Sequence, residues 1–339
     1  MIVFVPLLLS GRSDLLIVGA GAQAWLATAI NMPHFMASYR LVYRSRASIL
    51  KHRWAAIYIP TLLLVAVIAA IVEAQYSTAG VVILVSVASA YLAWHYTGQV
   101  WGMMASYTWL DGARFEASER FLIRTGLRIL LAWHVTWFLY TQLRNPGMVR
   151  SAYLLVSLGT LVAFVLGVTG IVRMRRRTGR LPPARALVAW AALFVWYAVM
   201  ARDPRAIFWI QIAHALQYLA FPVRVEINHT AESHPTHRRL VTHMVVYGVV
   251  LLAVSVLIAQ VVPGHAMDAV ANVFGEQPGR VTPVLILMFL NIHHYFTDGV
   301  IWKLSNPEVR RELFSHVTSV ERDTPRPPTT SRSGVRARS

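Results

Sequence analysis

Near the C-terminal end of the chain, Asn291, His293, His294 and Asp298 interrupt an apolar run that opens at Pro283 and closes at Lys303. At helical spacing Asn291, His294 and Asp298 share one face, and His293 stands one step around. An ionisable group at membrane depth costs on the order of 3 kcal/mol on insertion scales, so such groups turn inward and serve a function. Two adjacent histidines and an aspartate are a large cost for packing alone.

Other apolar runs carry polar groups of the same kind. His34 follows Pro33. His95 and Gln99 form an i, i+4 pair, and Gly98 between them offers close approach to another helix. Gln211, His214 and Tyr218 fall on one helical face, with Gln217 beside it. His134 lies between Trp133 and Trp137. Each has a plainer reading: a span-end histidine for His34, an interfacial one among aromatics for His95, interhelical hydrogen bonding for His214, a satisfied core group for His134. Taken together they point to a metal. Neutral imidazole suits iron, copper or zinc, and a chain without cysteine has no thiolate site, disulfide or thiol catalysis. The candidate ligands are His34, His95, His134, His214, His293 and His294. Asp298, Gln99, Gln217 and Tyr218 are the candidates for orienting those ligands and for the chemistry beside them.

These residues need a bundle to hold them. Of 339 residues 56% are hydrophobic and only 14% charged, where a soluble domain carries about 25% charged. Mean hydropathy is +0.50, and apolar runs of about 20 residues recur. The expected fold is an all-α polytopic transmembrane bundle of about nine spans, near residues 15–39, 54–73, 79–96, 123–143, 152–173, 186–201, 206–223, 241–262 and 283–303. The third span can continue as a helix through Met104. Residues 1–316 make the membrane domain. Residues 317–339, rich in Pro, Ser and Arg, make a disordered basic tail. Met1 to Ser10 lack the basic start and small-residue cleavage site of a signal peptide.

The formal charge of +17 belongs to this topology, not to nucleic acid. Arg40, Arg44, Arg46, Lys51 and Arg53 crowd one loop without an acid, and Arg173, Arg175, Arg176, Arg177, Arg180 and Arg185 another. The loops at 74–78, 201–205 and 263–282 are poor in net positive charge. The positive-inside rule then places the N-terminus outside and the C-terminus in the cytoplasm, in what reads as a bacterial inner membrane. His34, His95, His214 and His293/His294 all fall on spans of one direction at similar depth, so four helices can bring imidazoles to one level.

The chain holds no Walker loop, no GxSxG, no HExxH and no HxxHH box. It resembles the Brp/Blh family of bacterial and archaeal membrane β-carotene dioxygenases across roughly residues 25 to 305. The resemblance rests on Pro33-His34, on His95-Tyr96 followed by Gly98 and Gln99, on His134 before aromatics, on the region of His214, and on His293 five residues before Asp298 with Ile301-Trp302-Lys303 beyond. Gln99 stands near where the family has an acid. The resemblance implies non-haem iron held by histidines, dioxygen as co-substrate and cleavage of a lipophilic double bond. It favours His293 as ligand, whereas helical facing favours His294 with Asp298.

The leading expectation is therefore a membrane oxygenase dependent on a metal, iron by the resemblance. It would act on a carotenoid, isoprenoid, quinone or lipid that enters laterally from the bilayer. A transporter using the histidines and Asp298 as proton or substrate site is the alternative. A bis-histidine haem protein is the third.

Overall fold

The computed structural model describes residues 19–142, 147–233, 237–302 and 307–314, and among them every regular element is helical. The expected basic tail, His234, Lys303 and residues 15–18 of the first expected span lie outside the described residues. The helices are α1 (Ala20–Leu26), α2 (Met32–Tyr43), α3 (Arg46–Lys51), α4 (Ile59–Glu73), α5 (Ala79–Leu110), α6 (Ala117–Gln142) and α7 (Gly147–Thr178). They continue as α8 (Ala184–Arg202), α9 (Ala206–Ser233), α10 (His237–Val256), α11 (Val262–Phe274), α12 (Glu276–Ile301) and α13 (Pro307–Phe314).

Among the described residues, seven helical runs are long and apolar enough to cross a membrane: Trp54–Glu73, α5, α7, α8, most of α9, Arg238–Phe274 and α12. The two other expected spans are helical but more polar. The α1–α2 run mixes Gln23, Asn31, His34, Ser38 and Arg40 into its length, and α6 carries Glu119, Arg120, Arg124 and Arg128 in its first half.

Three prolines shape the bundle by one device. Pro33, Pro60 and Pro263 each sit in the first turn of a helix that follows a five-residue π-helical turn, at Ala27–Asn31, Trp54–Tyr58 and Leu257–Val261. Proline has no N–H and its ring collides with the carbonyl four residues back. A wider turn relieves the collision and lets the helix run on. In each case the residue just before the helix's proline donates its N–H five residues back: Met32 to Ala27, Ile59 to Trp54, Val262 to Leu257. This corrects the expectation of a loop over 263–282. Pro263-Gly264 reads as a break in sequence, but the π turn absorbs it, and α11 and α12 are joined by Gly275 alone. Gly275 has φ 96°, a conformation open to glycine at little cost. The last expected span accordingly begins seven residues before Pro283, at Glu276.

Helix α12 is the axis. It packs against α2, α4, α5 and α11, and α5 in turn against α4, α6 and α8. Within its most apolar window 56% of α12 is buried, against 17% for the Arg238–Phe274 run. The outer helices instead show rows of bare aliphatic side chains, such as Leu154, Leu155, Leu158 and Leu161 on α7 and Val245, Val246, Val249 and Val250 on α10. Such surfaces belong against lipid.

Lipid tails give little drive for helix association, so close packing supplies it through small residues. Gly126 on α6 meets α7 so tightly that an added Cβ would lie 2.6 Å from the carbonyl oxygen of Ala163. Gly170 on α7 returns the contact, 2.7 Å from Ile123 and 3.0 Å from the Glu119 carbonyl oxygen. Because backbone is in the way, Gly126→Ala is expected to force the pair apart and to lower stability by roughly 1–3 kcal/mol. Thermal unfolding in detergent, compared with Gly102→Ala where an added Cβ meets nothing within 4 Å, checks it.

Candidate metal centre

Four helices deliver imidazoles to one point: His34 on α2, His95 on α5, His214 on α9 and His294 on α12. Asp298 lies one turn beyond His294 on the same face of α12, as i, i+4 geometry requires. All five are buried, with relative exposures from 0% for His294 to 6% for His95. The ring centres of His34 lie 4.6 Å from His294 and 5.6 Å from His214, and those of His95 lie 4.8 Å from His214 and 5.3 Å from His294. Phe35 stacks on His294 at 4.2 Å and fixes its plane.

The carboxylate of Asp298 is held on one side and bare on the other. Its Oδ1 accepts from Tyr218 at 2.6 Å and from Ser38 at 2.8 Å. The Ser38 and Tyr218 hydroxyls are 2.7 Å apart, and the Trp302 indole donates to the Tyr218 oxygen. Its Oδ2 has no hydrogen-bond partner and faces His294 Nε2 at 3.5 Å and His95 Nε2 at 3.7 Å. His95 Nε2 is also 3.0 Å from His214 Nε2. Both ring nitrogens of His34 and both of His294 are buried without a partner.

Buried polar atoms are nearly always paired, because leaving one bare costs about 1–3 kcal/mol. A cluster with this many bare nitrogens and a bare carboxylate oxygen could hold a cation. Ligands about 2.0–2.2 Å from one ion stand roughly 3–3.5 Å apart, close to the spacings around His95 Nε2. His95, His294 and Asp298 each offer an atom within 4.8 Å of the others' and so could hold a metal ion together. His214 and His34 stand beside it as further imidazoles. A set of nitrogen and oxygen donors suits iron, zinc, copper or manganese. The Ser38–Tyr218–Trp302 network would orient the aspartate, the usual role of groups behind a ligand.

The remaining candidates sit elsewhere. His293 turns away from the cluster, since neighbours on a helix point about 100° apart. Its Nε2 lies 3.0 Å from the carbonyl oxygen of Ala55 and 3.2 Å from the Tyr43 hydroxyl, and its ring stacks on Tyr39 at 4.8 Å. The reason is local. In the π turn Ala55 would be bonded by residue 60, which is a proline with no N–H. His293 donates there instead, and Tyr43 donates to the next carbonyl, Ala56, at 2.8 Å. His134 is bound to the Tyr197 hydroxyl at 3.1 Å and packs on Trp137. Tyr96 stands between it and the cluster, 4.7 Å from the His214 ring and 6.1 Å from the His134 ring. Gln217 is half-buried off the Tyr218 face, and Gln99 is one turn below His95, lining a cavity rather than touching the ligands. Asn291 is tied to the Leu287 carbonyl and the Tyr295 hydroxyl.

Ser38 escaped the reading of the sequence, and Trp302 entered it only within Ile301-Trp302-Lys303, without a role. Both were reachable: Ser38 is four residues past His34 and Trp302 four past Asp298, one turn along the same faces. Comparison with known protein families, with characterised proteins and with solved structures finds no match to this chain.

Metal titrated into the purified protein is expected to bind near one ion per chain, and His95→Ala, His294→Ala and Asp298→Asn to lose it. His134→Ala and His293→Ala are expected to keep it, the latter with stability lowered by about 1–3 kcal/mol through the bare Ala55 carbonyl. Elemental analysis beside thermal unfolding separates the two effects; full metal retention in the first three variants would remove the shared site.

Proposed function

We propose that this protein is a membrane-embedded non-haem iron oxygenase acting on a lipophilic substrate, with a carotenoid or other isoprenoid as the first class to test. The observation that carries the reading is the bare Asp298 Oδ2 facing two buried imidazoles, with two more beside them, inside a helical membrane protein. An all-imidazole and carboxylate donor set with open positions is the kind that holds iron for oxygen chemistry. Bound iron would supply activation of dioxygen, the co-substrate. Cleavage of a carbon–carbon double bond by dioxygen into two carbonyls balances without any external reductant. The resemblance to the Brp/Blh dioxygenases adds to this reading through Pro33-His34, His95, His214 and the Asp298 region.

In this proposal the chain crosses a bacterial inner membrane about nine times, counting the α1–α2 run and α6, with the N-terminus outside and the arginine-rich loops inside. His34, His95, His214, His294 and Asp298 hold the metal. Ser38, Tyr218 and Trp302 fix the aspartate, and Tyr218 keeps its hydroxyl hydrogen directed at Asp298 Oδ1. The apolar wall excludes bulk water and admits substrate from the lipid. The ring spacings of 4.6–5.6 Å within the cluster leave no slot for a macrocycle between facing histidines, which disfavours the haem alternative.

The test is the purified protein and a cell that accumulates carotenoid. Near-stoichiometric iron with no Soret band, loss of cell colour and appearance of carbonyl products support the proposal; iron-loaded protein that leaves carotenoids and other isoprenoids intact overturns it. His95→Ala is expected to abolish turnover. Tyr218→Phe is expected to reduce metal affinity or turnover roughly 10–100-fold, the usual effect of removing a group that orients a ligand.

A further inference from the structure

Beside the cluster lies a cavity of about 210 Å³ between α5 and α12, with His95 and Asp298 in its wall. It is made by side chains that are missing. Gly98 and Gly102 line it from α5, and an added Cβ on either meets nothing within 4 Å. Glycines at this spacing in a membrane helix usually admit a neighbouring helix. Here none approaches among the described residues, contrary to the expectation for Gly98, and they leave the space open. The wall opposite is apolar, formed by Phe221, Trp302 and Leu313 among others. Trp94, which packs over Gly299, is 48% exposed on the outer surface of the bundle and forms the lip.

One polar group in this wall is uncommitted. His95, Tyr218 and Asp298 belong to the cluster, and the Ser106 hydroxyl donates to the Gly102 carbonyl at 2.6 Å. Gln99 has only a 3.9 Å contact from Nε2 to the sulfur of Met103, and its Oε1 is buried with no partner. That oxygen is closed off from the space as the side chain stands, and a turn of the amide brings it to a donor on whatever fills the space. A hydroxyl both donates and accepts, so it pairs with an amide from either end. The volume is smaller than the roughly 300–1,000 Å³ of a site that swallows a whole ligand, so it takes one end of a long molecule and leaves the rest in lipid.

We propose that this cavity binds the hydroxyl-bearing end of a lipid alcohol, an isoprenoid alcohol in particular, through the Gln99 amide, with the chain passing Trp94 and Gly98 into the bilayer. Specificity then comes from a polar group the enzyme leaves unpaired, which penalises a pure hydrocarbon as well as favouring the alcohol. The docked end lies about one helical turn from His95. The proposal rests on the metal-centre reading only for what is done to the bound molecule.

The test is equilibrium binding of labelled geranylgeraniol, and of the matching hydrocarbon without the hydroxyl, to the full-length protein in detergent. Metal content is measured on the same samples. The alcohol is expected to bind at least about tenfold tighter, the scale of one hydrogen bond to a buried group. Gln99→Met keeps the volume and removes the amide; it is expected to bring the alcohol down to the hydrocarbon. Gly102→Leu fills the cavity and is expected to abolish binding of both. Metal content should not change in either variant. Equal affinity for both probes in the unaltered protein, or discrimination that survives Gln99→Met, overturns the proposal, as does undiminished binding to Gly102→Leu. Absence of metal in the unaltered protein, with discrimination intact, instead defeats the oxygenase reading and leaves the alcohol site standing.

Discussion

The structure depends on the cost of burying unpaired imidazoles and a carboxylate among apolar helices. A charged or polar group taken out of water must find partners, and in an apolar bundle those partners come from other helices. Asp298 shows how the demand is met in part. One oxygen is fixed by Ser38 from α2 and Tyr218 from α9, so a single carboxylate on α12 ties three helices. The other oxygen is left facing His95 and His294. Anchoring Oδ1 while leaving Oδ2 bare gives the bundle a place that could hold a cation. Buried pairs are poor sources of stability, so this arrangement is better understood as a site that the packing tolerates than as glue for the packing.

The prolines decide which residues reach that site. A π turn inserts an extra residue per turn and rotates everything beyond it relative to what precedes it. The turn at Ala27–Asn31 stands immediately before Met32-Pro33-His34, so it sets the phase at which His34 meets the cluster. The turn at Trp54–Tyr58 acts at one remove. It leaves the Ala55 carbonyl without an N–H, and His293 is recruited to fill the gap. Two adjacent histidines on α12 thus serve opposite needs. His293 satisfies the backbone of a neighbouring helix, whereas the nitrogens of His294 are kept unsatisfied.

This explains what was legible in the sequence. Helical facing alone placed His294 and Asp298 together and paired His214 with Tyr218, because 3.6-residue periodicity is a local property. The common direction of their spans made it reasonable that His34, His95 and His214 should meet at one depth. Facing could not place His293 or His134, since their partners, the Ala55 carbonyl and Tyr197, are contributed by other helices. The break read at Pro263-Gly264 failed for a similar reason: proline forbids a hydrogen bond and causes a collision, but whether the chain ends or widens depends on what surrounds it. Gly98 was misjudged because the same residue type serves contact and vacancy alike.

That ambiguity of glycine separates packing from access. At Gly126, Gly167, Gly170 and Gly279 an added Cβ would strike a neighbour at 2.4–2.7 Å, so there the missing side chain is spent on contact between helices. At Gly98 and Gly102 it would strike nothing. The bundle is therefore tight around α6, α7, α8 and the α11–α12 hairpin, and open on one face of α5, the face that carries His95. An opening in a well-packed protein loses dispersion contacts along its walls. Here the loss falls beside the cluster that holds His95 and beside the Gln99 amide, whose Oε1 has no partner. The vacancy, the amide and His95 lie within two turns of one helix, and that adjacency argues that they belong to one function.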